Sequence, residues 1–229
     1  MEKEIEVEPS EDLAYWVGAV QTDGCISEYY PKGKKHSEIG IHFGVCSKSL
    51  PMVEKVRSFG YRVLKRYGKI YKLQKGDHWL YHIKVKQLLD IFKGLDIKFG
   101  DPPIPPKWVL EKSEFFGAYL AGVVDGDGCI VVKRPVYPQC VISITSGSFQ
   151  TSLKDSITRI LGCSTFQCIT RRTTILDGSI IKGTGYYLQF YVSMKTAKFV
   201  SDFIIPHLQI AHKKDKLEKF IRTRYPLLN

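Results

Sequence analysis

The chain has 229 residues, 44% hydrophobic and 12% aromatic, enough to build a real core, which excludes a disordered tail protein. Its formal net charge is +11, with −5 confined to residues 1–12 and +16 on the remaining 217. A body that basic suits a polyanion such as nucleic acid, and charge alone leaves a generic basic protein nearly as good a reading.

Ser10, followed by Glu11 and Asp12, is placed to cap a first helix with acids at its positive dipole end. That helix runs into "AYWVGAVQTDGCI", residues 14–26. Segments Ile26–Tyr30 and Ile39–Cys46 read as a hairpin; in the second, Ile39, Ile41, Phe43 and Val45 alternate with Glu38, Gly40, His42 and Gly44. A helix over Leu50–Phe59, a second hairpin from Tyr61–Tyr67 and Ile70–Lys84, and a helix over Lys86–Leu95 follow. Four prolines in five residues of "GDPPIPPKW", residues 100–108, impose an extended linker. Ser113, with Glu114 behind it, caps the next helix, which runs into "AYLAGVVDGDGCI", residues 118–130. Strands Ile130–Lys133 and Val141–Thr145, a helix over Phe149–Leu161, strands Ser164–Arg172 and Tyr186–Met194, and helices Thr196–Ile204 and Ala211–Arg222 complete the chain.

The two quoted stretches share eight of thirteen positions without gaps, 104 residues apart, and the same order of elements follows each. This is a duplication. It divides the chain into residues 1–99, a Pro-rich linker at 100–112, and residues 113–229. Ala14 and Gly18, like Ala118 and Gly122, put small side chains on one helix face, so the two motif helices are expected to pack closely on each other rather than to be unrelated core helices. Asp23 and Asp127 then fall at adjacent helix C-termini, where the dipole and mutual repulsion both disfavour carboxylates. A divalent cation offsets both terms, and paired acids with metal beside a basic surface describe phosphodiester hydrolysis. The bland alternative is two solvated turn-opening acids. A calcium loop beginning at Asp125 fails, because its fifth and sixth positions hold Cys129 and Ile130.

No stretch approaches the roughly 20 apolar residues of a membrane span. The acidic start is the reverse of a signal peptide, and none of the six cysteines forms a C-x-x-C pair. A cytoplasmic protein with reduced thiols and no zinc site is expected, nucleoid-associated in a prokaryote or housed in an organelle.

"LAGVVDGDG" (Leu120–Gly128) resembles the LAGLIDADG motif, and "WVGAVQTDG" (Trp16–Gly24) is similar to a degenerate copy. With their spacing, the pair resembles a single-chain, two-repeat LAGLIDADG homing endonuclease over nearly the whole chain. The resemblance implies an α+β fold of two pseudo-symmetric αββαββα units joined through their motif helices, with two antiparallel sheets forming a saddle over double-stranded DNA. It implies a monomer that needs no protein partner and cuts both strands of a long asymmetric target with Mg2+, for which Mn2+ can substitute. Asp23 and Asp127 would bind metal, with the main-chain carbonyls of Thr22 and Gly126 beside them. Ser47 and Lys48, and Ser146 and Gly147, match a pair near the scissile phosphate. Lys98 matches a basic residue that begins the later helix; its second-half equivalent is Ala211, so His212 or Lys213 would substitute. By strand parity, Ser27, Tyr29, His42, Lys133, Gln139, Ser143, Arg171 and Arg172 would read the DNA. Gln21 stands where Asp125 stands in the other copy, away from the metal-binding position. A maturase that binds intron RNA and a non-cleaving DNA-binding protein share this fold. An intein nuclease domain fits less well, since no splicing segments flank the repeats.

Overall fold

The computed structural model describes residues 7–29, 32–33, 38–74, 77–85, 87–100, 102–176 and 179–226. Its first half runs α1 (Glu11–Asp23), β1 (Gly24–Tyr29), β2 (Glu38–Cys46), α2 (Leu50–Leu64), β3 (Lys69–Lys72), β4 (His78–Val85) and α3 (Gln87–Gly94). The second runs α4 (Ser113–Asp127), β5 (Gly128–Lys133), β6 (Gln139–Ser146), α5 (Thr151–Leu161), β7 (Thr165–Leu176), β8 (Ser179–Val192), α6 (Met194–Phe199) and α7 (Ala211–Arg224). Each half forms a four-stranded antiparallel sheet of the same order, β1-β2-β4-β3 and β5-β6-β8-β7. This is the α+β architecture that the resemblance implies. Tyr30 and Lys86, expected to end one element and begin another, lie outside the described residues.

The centre is the α1–α4 seam. Every residue from Leu13 to Gln21 and from Phe116 to Asp125 is buried, which is why neither helix is amphipathic: each is covered on all sides. A methyl group on Gly18 would run into the Tyr119 carbonyl, and one on Gly122 into the Tyr15 carbonyl. Only glycine permits the two backbones to touch at these symmetric points. Ile41, Phe43, Tyr81 and Ile83 close the core from the first sheet, and Ile142, Ile144, Leu188 and Phe190 from the second.

Ser10 caps α1, its Oγ accepting the Leu13 amide at 3.3 Å. Ser113 does not cap α4; it is that helix's first residue, and Lys112 at the cap position gives no side-chain bond. The strand expected at Tyr61–Tyr67 is instead the last turn of α2. Val56, Phe59, Gly60 and Val63 continue one apolar face through this turn, and Lys65 stops the helix with φ 54°. The second hairpin therefore lies wholly within Lys69–Val85. After the prolines, Pro103, Pro105 and Pro106 are buried, and Trp108 donates its indole N–H to the Leu95 carbonyl at 3.2 Å. All six cysteines are free thiols, and burial pushes that of Cys140 up to about 12. Among the described residues no helix is long and apolar enough to cross a membrane.

Candidate metal and nucleic-acid site

Asp23 and Asp127 are the last residues of α1 and α4; Gly24 and Gly128 turn the backbone of each half into extended conformation and start β1 and β5. The helix ends meet so closely that a side chain on Gly126 would collide with Thr22. Both acids and the carbonyls of Thr22 and Gly126 thus gather in two adjoining last turns, where helix carbonyls have no following amide to accept. Burial raises the Asp23 carboxyl above the ordinary aspartate range; Lys213 opposes this and the Asp125 charge adds to it.

The position two residues before each acid is filled differently in the two halves. Asp125 is buried and accepts the Tyr15 hydroxyl at 2.7 Å, the Gln209 amide at 2.7 Å and the Ile210 amide at 3.2 Å. Gln21 is buried as well; its Oε1 accepts the Tyr119 hydroxyl at 2.7 Å, and its Nε2 donates to the carbonyls of Lys98 at 2.6 Å and Ile104 at 2.9 Å. Each motif tyrosine reaches across the seam to the opposite helix. With its oxygens so engaged, Asp125 is a structural acid. No sequence signal assigned these roles to Gln21, Tyr15 or Tyr119.

Lys213, in the first turn of α7, donates Nζ to the carbonyls of Val124 at 2.7 Å and Asp125 at 2.8 Å. Burial lowers its ammonium below the usual lysine range, and Asp125, Asp23 and Asp127 pull it back up. Of the two substitutes for the missing lysine at 211, Lys213 is the one at the acids; His212 is exposed. Lys98 is exposed in the segment after α3, and Lys48 is exposed in the turn after β2, where its charge helps hold the His212 imidazole low, behind burial and the nearer Lys213 and Lys216.

Among the described residues no three or more His, Cys, Asp or Glu side chains form a metal cage. The donor set is two carboxylates and main-chain oxygens. That suits a hard divalent cation, which keeps waters and takes substrate phosphates for its remaining positions.

Each sheet leaves its far face open. On the first, Cys25, His42, His82 and Lys69 form one cross-strand row and Ser27, Gly40 and Lys84 the next. Ser27 is exposed, and His42 stacks on His82 with centroids 4.2 Å apart. On the second, Lys133 pairs with Gln139, Val131 with Val141 and Tyr191, and Cys129 with Ser143 and Gln189. Ser143 shares this face but is shielded, 7% exposed, and accepts the Gln189 amide at 3.3 Å. Arg171 does not share it. Opposite Thr184, it has the parity of Gln167 and Leu188, the closed side, whereas Arg172 opposite Gly183 has the open parity. The side chains of Tyr29 and Arg172 lie outside the described part of the structure.

Comparison with solved structures finds this fold in LAGLIDADG homing endonucleases. I-DmoI in complex with DNA and Ca is 17% identical over 91% of this chain and 97% of its own, with TM-score 0.56. I-LtrWI, a LAGLIDADG homing endonuclease bound to target DNA, is 13% identical over 96% and 94%, with TM-score 0.52. A variant of I-SmaMI is 16% identical over 94% of each chain, with TM-score 0.51. No family model matches the sequence. No curated protein matches it either. At these identities the likeness establishes the fold.

Proposed function

We propose that this chain, which has the LAGLIDADG homing-endonuclease fold, is a site-specific endonuclease that hydrolyses both strands of a long asymmetric DNA duplex. One observation carries the reading: two acids, Asp23 and Asp127, sit at touching helix ends with Lys213 beside them, where the edge strand of each sheet begins. A protein that only bound nucleic acid would gain nothing from carboxylates crowded at negative dipole ends.

Asp23 and Asp127, with the carbonyls of Thr22 and Gly126, would hold the divalent cations, Mg2+ or Mn2+. A cation held there would supply Lewis-acid activation of water and charge stabilisation at the leaving oxygen. Lys213 and Lys98, one in each half, would offset the negative charge that develops on the reacting phosphate, and Lys48 adds a third cation near His212. Ser27, His42, Lys133 and Gln139 face the duplex from the open strand rows. Val131, Phe166 and Tyr191 are exposed on the second sheet and suit thymine methyl groups rather than polar base edges. Both acids reside on one chain, so a monomer suffices.

Selection of a target from a randomised duplex pool, followed by incubation with Mg2+ or with chelator, tests this. One double-strand cut only in Mg2+ is expected; a chain that binds its selected duplex and leaves it whole in Mg2+ and in Mn2+ is a binder, not a nuclease.

One surface favours a second activity. Tyr61 and Tyr67 stack with centroids 3.8 Å apart, both exposed, and the Arg57 guanidinium lies 5.1 Å from the Tyr67 ring. Aromatic and guanidinium planes of this kind stack unpaired bases, as an RNA-binding maturase requires. Loss of structured-RNA affinity in Tyr67→Ala, with duplex cutting intact, would establish it.

A further inference from the structure

We propose that Gln21 and Asp125 are positioning residues, each holding the main chain that carries the candidate catalytic lysine of its own half. The inference rests on the endonuclease reading. Gln21 donates both hydrogens of its amide nitrogen to main-chain carbonyls, one of them the carbonyl of Lys98 itself. The Lys98 side chain therefore departs from a backbone tied to the last turn of α1, two residues before Asp23. Asp125 does the same work with opposite polarity. Its carboxylate accepts the amides of Gln209 and Ile210, and the Ile210 carbonyl accepts the Lys213 amide at 2.9 Å at the start of α7. Lys213 closes the loop by donating to the Asp125 carbonyl. Each lysine is thus fixed to the helix that ends in an acid of the site.

This explains why a duplicated position holds Gln in one half and Asp in the other. The segment after α3 presents carbonyls, which need a donor; the segment before α7 presents amides, which need an acceptor. Tyr119 and Tyr15 hold the two side chains in matching orientations, since a hydroxyl can donate to either. A carboxylate at 21 would turn one oxygen to two carbonyl oxygens, and an amide at 125 would turn its nitrogen to one of the two N–H groups, whichever oxygen it replaced. Either exchange leaves buried groups unpaired.

The test uses the full-length protein and the variants Gln21→Glu and Asp125→Asn. In hydrogen–deuterium exchange without metal, Gln21→Glu should loosen residues 97–106 and leave 207–214 as in wild type; Asp125→Asn should do the reverse. On a duplex labelled separately on each strand, Gln21→Glu should slow one strand's cut roughly 100-fold and Asp125→Asn the other's, as a lysine displaced by about an ångström would. Nicked product accumulates in both cases, while duplex affinity stays within about twofold, since neither residue faces DNA. Equal slowing of both strands, or exchange that rises equally in both segments, would mean that the residues merely stabilise the seam, and overturns the proposal. A wild-type chain that cuts no duplex overturns the endonuclease reading instead, and the exchange result still decides whether each residue pins its own segment.

Discussion

The Tyr15 hydroxyl of the first motif helix donates to the Asp125 carboxylate of the second at 2.7 Å, across a seam where both residues are buried. Its mirror, Tyr119 to Gln21, is equally short at 2.7 Å but joins two neutral groups. Phenylalanine fills either tyrosine's space, so each substitution removes one hydrogen bond and little packing. At neutral pH Tyr15→Phe should cost about 1.5–3 kcal/mol and Tyr119→Phe about 0.5–1.5 kcal/mol, because bonds to charged acceptors are stronger. Chemical denaturation of the two variants checks the order.

The glycines of the seam give a second expectation. Gly18→Ala and Gly122→Ala push a methyl group into opposing backbone, which has no rotamer to yield, and each should cost about 1–3 kcal/mol or more. Gly183 on β8 has open space around it, and Gly183→Ala should lie within about 0.5 kcal/mol of wild type. Urea midpoints with unchanged slopes would show that stability, not the unfolded state, has changed.

Asp23 is held above its ordinary range chiefly by burial. Between its unfolded and folded values, the native state keeps a proton that the unfolded chain has released, so stability falls as pH rises through that window and stays lower above it. Asp23→Asn cannot ionise. Without metal it should therefore melt higher than wild type at neutral pH, with the gain vanishing below about pH 4. Added Mg2+ should raise the melting temperature of wild type more than that of the variant. Thermal scans across pH, with and without the cation, read both effects.

Lys213 serves two purposes, and Lys213→Met should separate them. Loss of its charge from the reacting phosphate should slow cutting by about 100- to 1,000-fold. Loss of its bonds to the Val124 and Asp125 carbonyls should lower stability, by about 1–3 kcal/mol for the acceptors left buried. His212→Ala, altering an exposed neighbour, should do neither. Single-turnover rates together with denaturation curves distinguish the two residues.

How far the sequence reaches is clearest at particular residues. Ala14, Gly18, Ala118 and Gly122 announced the seam, because close helix packing demands small residues at that spacing and little else does. Alternation in Ile39–Cys46 revealed its strand for the same reason. Parity within a strand is absolute, so Arg171 and Arg172 cannot both face one partner, and only the register with Thr184 and Gly183 decides between them. Ser143 has the right parity yet is shielded by Gln189, a residue 46 positions away. Gln21, Asp125 and Lys213 were illegible as a set, because their meaning lies in main-chain groups up to 89 residues distant. The end of α2 was missed because aromatic content at Tyr61–Tyr67 suits a strand, while packing of Val63 onto the core favours another helical turn.

The central claim is that Asp23 and Asp127 together make the nuclease. Its most direct test is cleavage of the selected duplex in Mg2+ by wild type and by the Asp23→Asn/Asp127→Asn double variant, with binding measured on the same samples. The expected result is one double-strand cut by wild type and none by the variant, at duplex affinity equal to or tighter than wild type. A double variant that still cuts at the wild-type rate would contradict it.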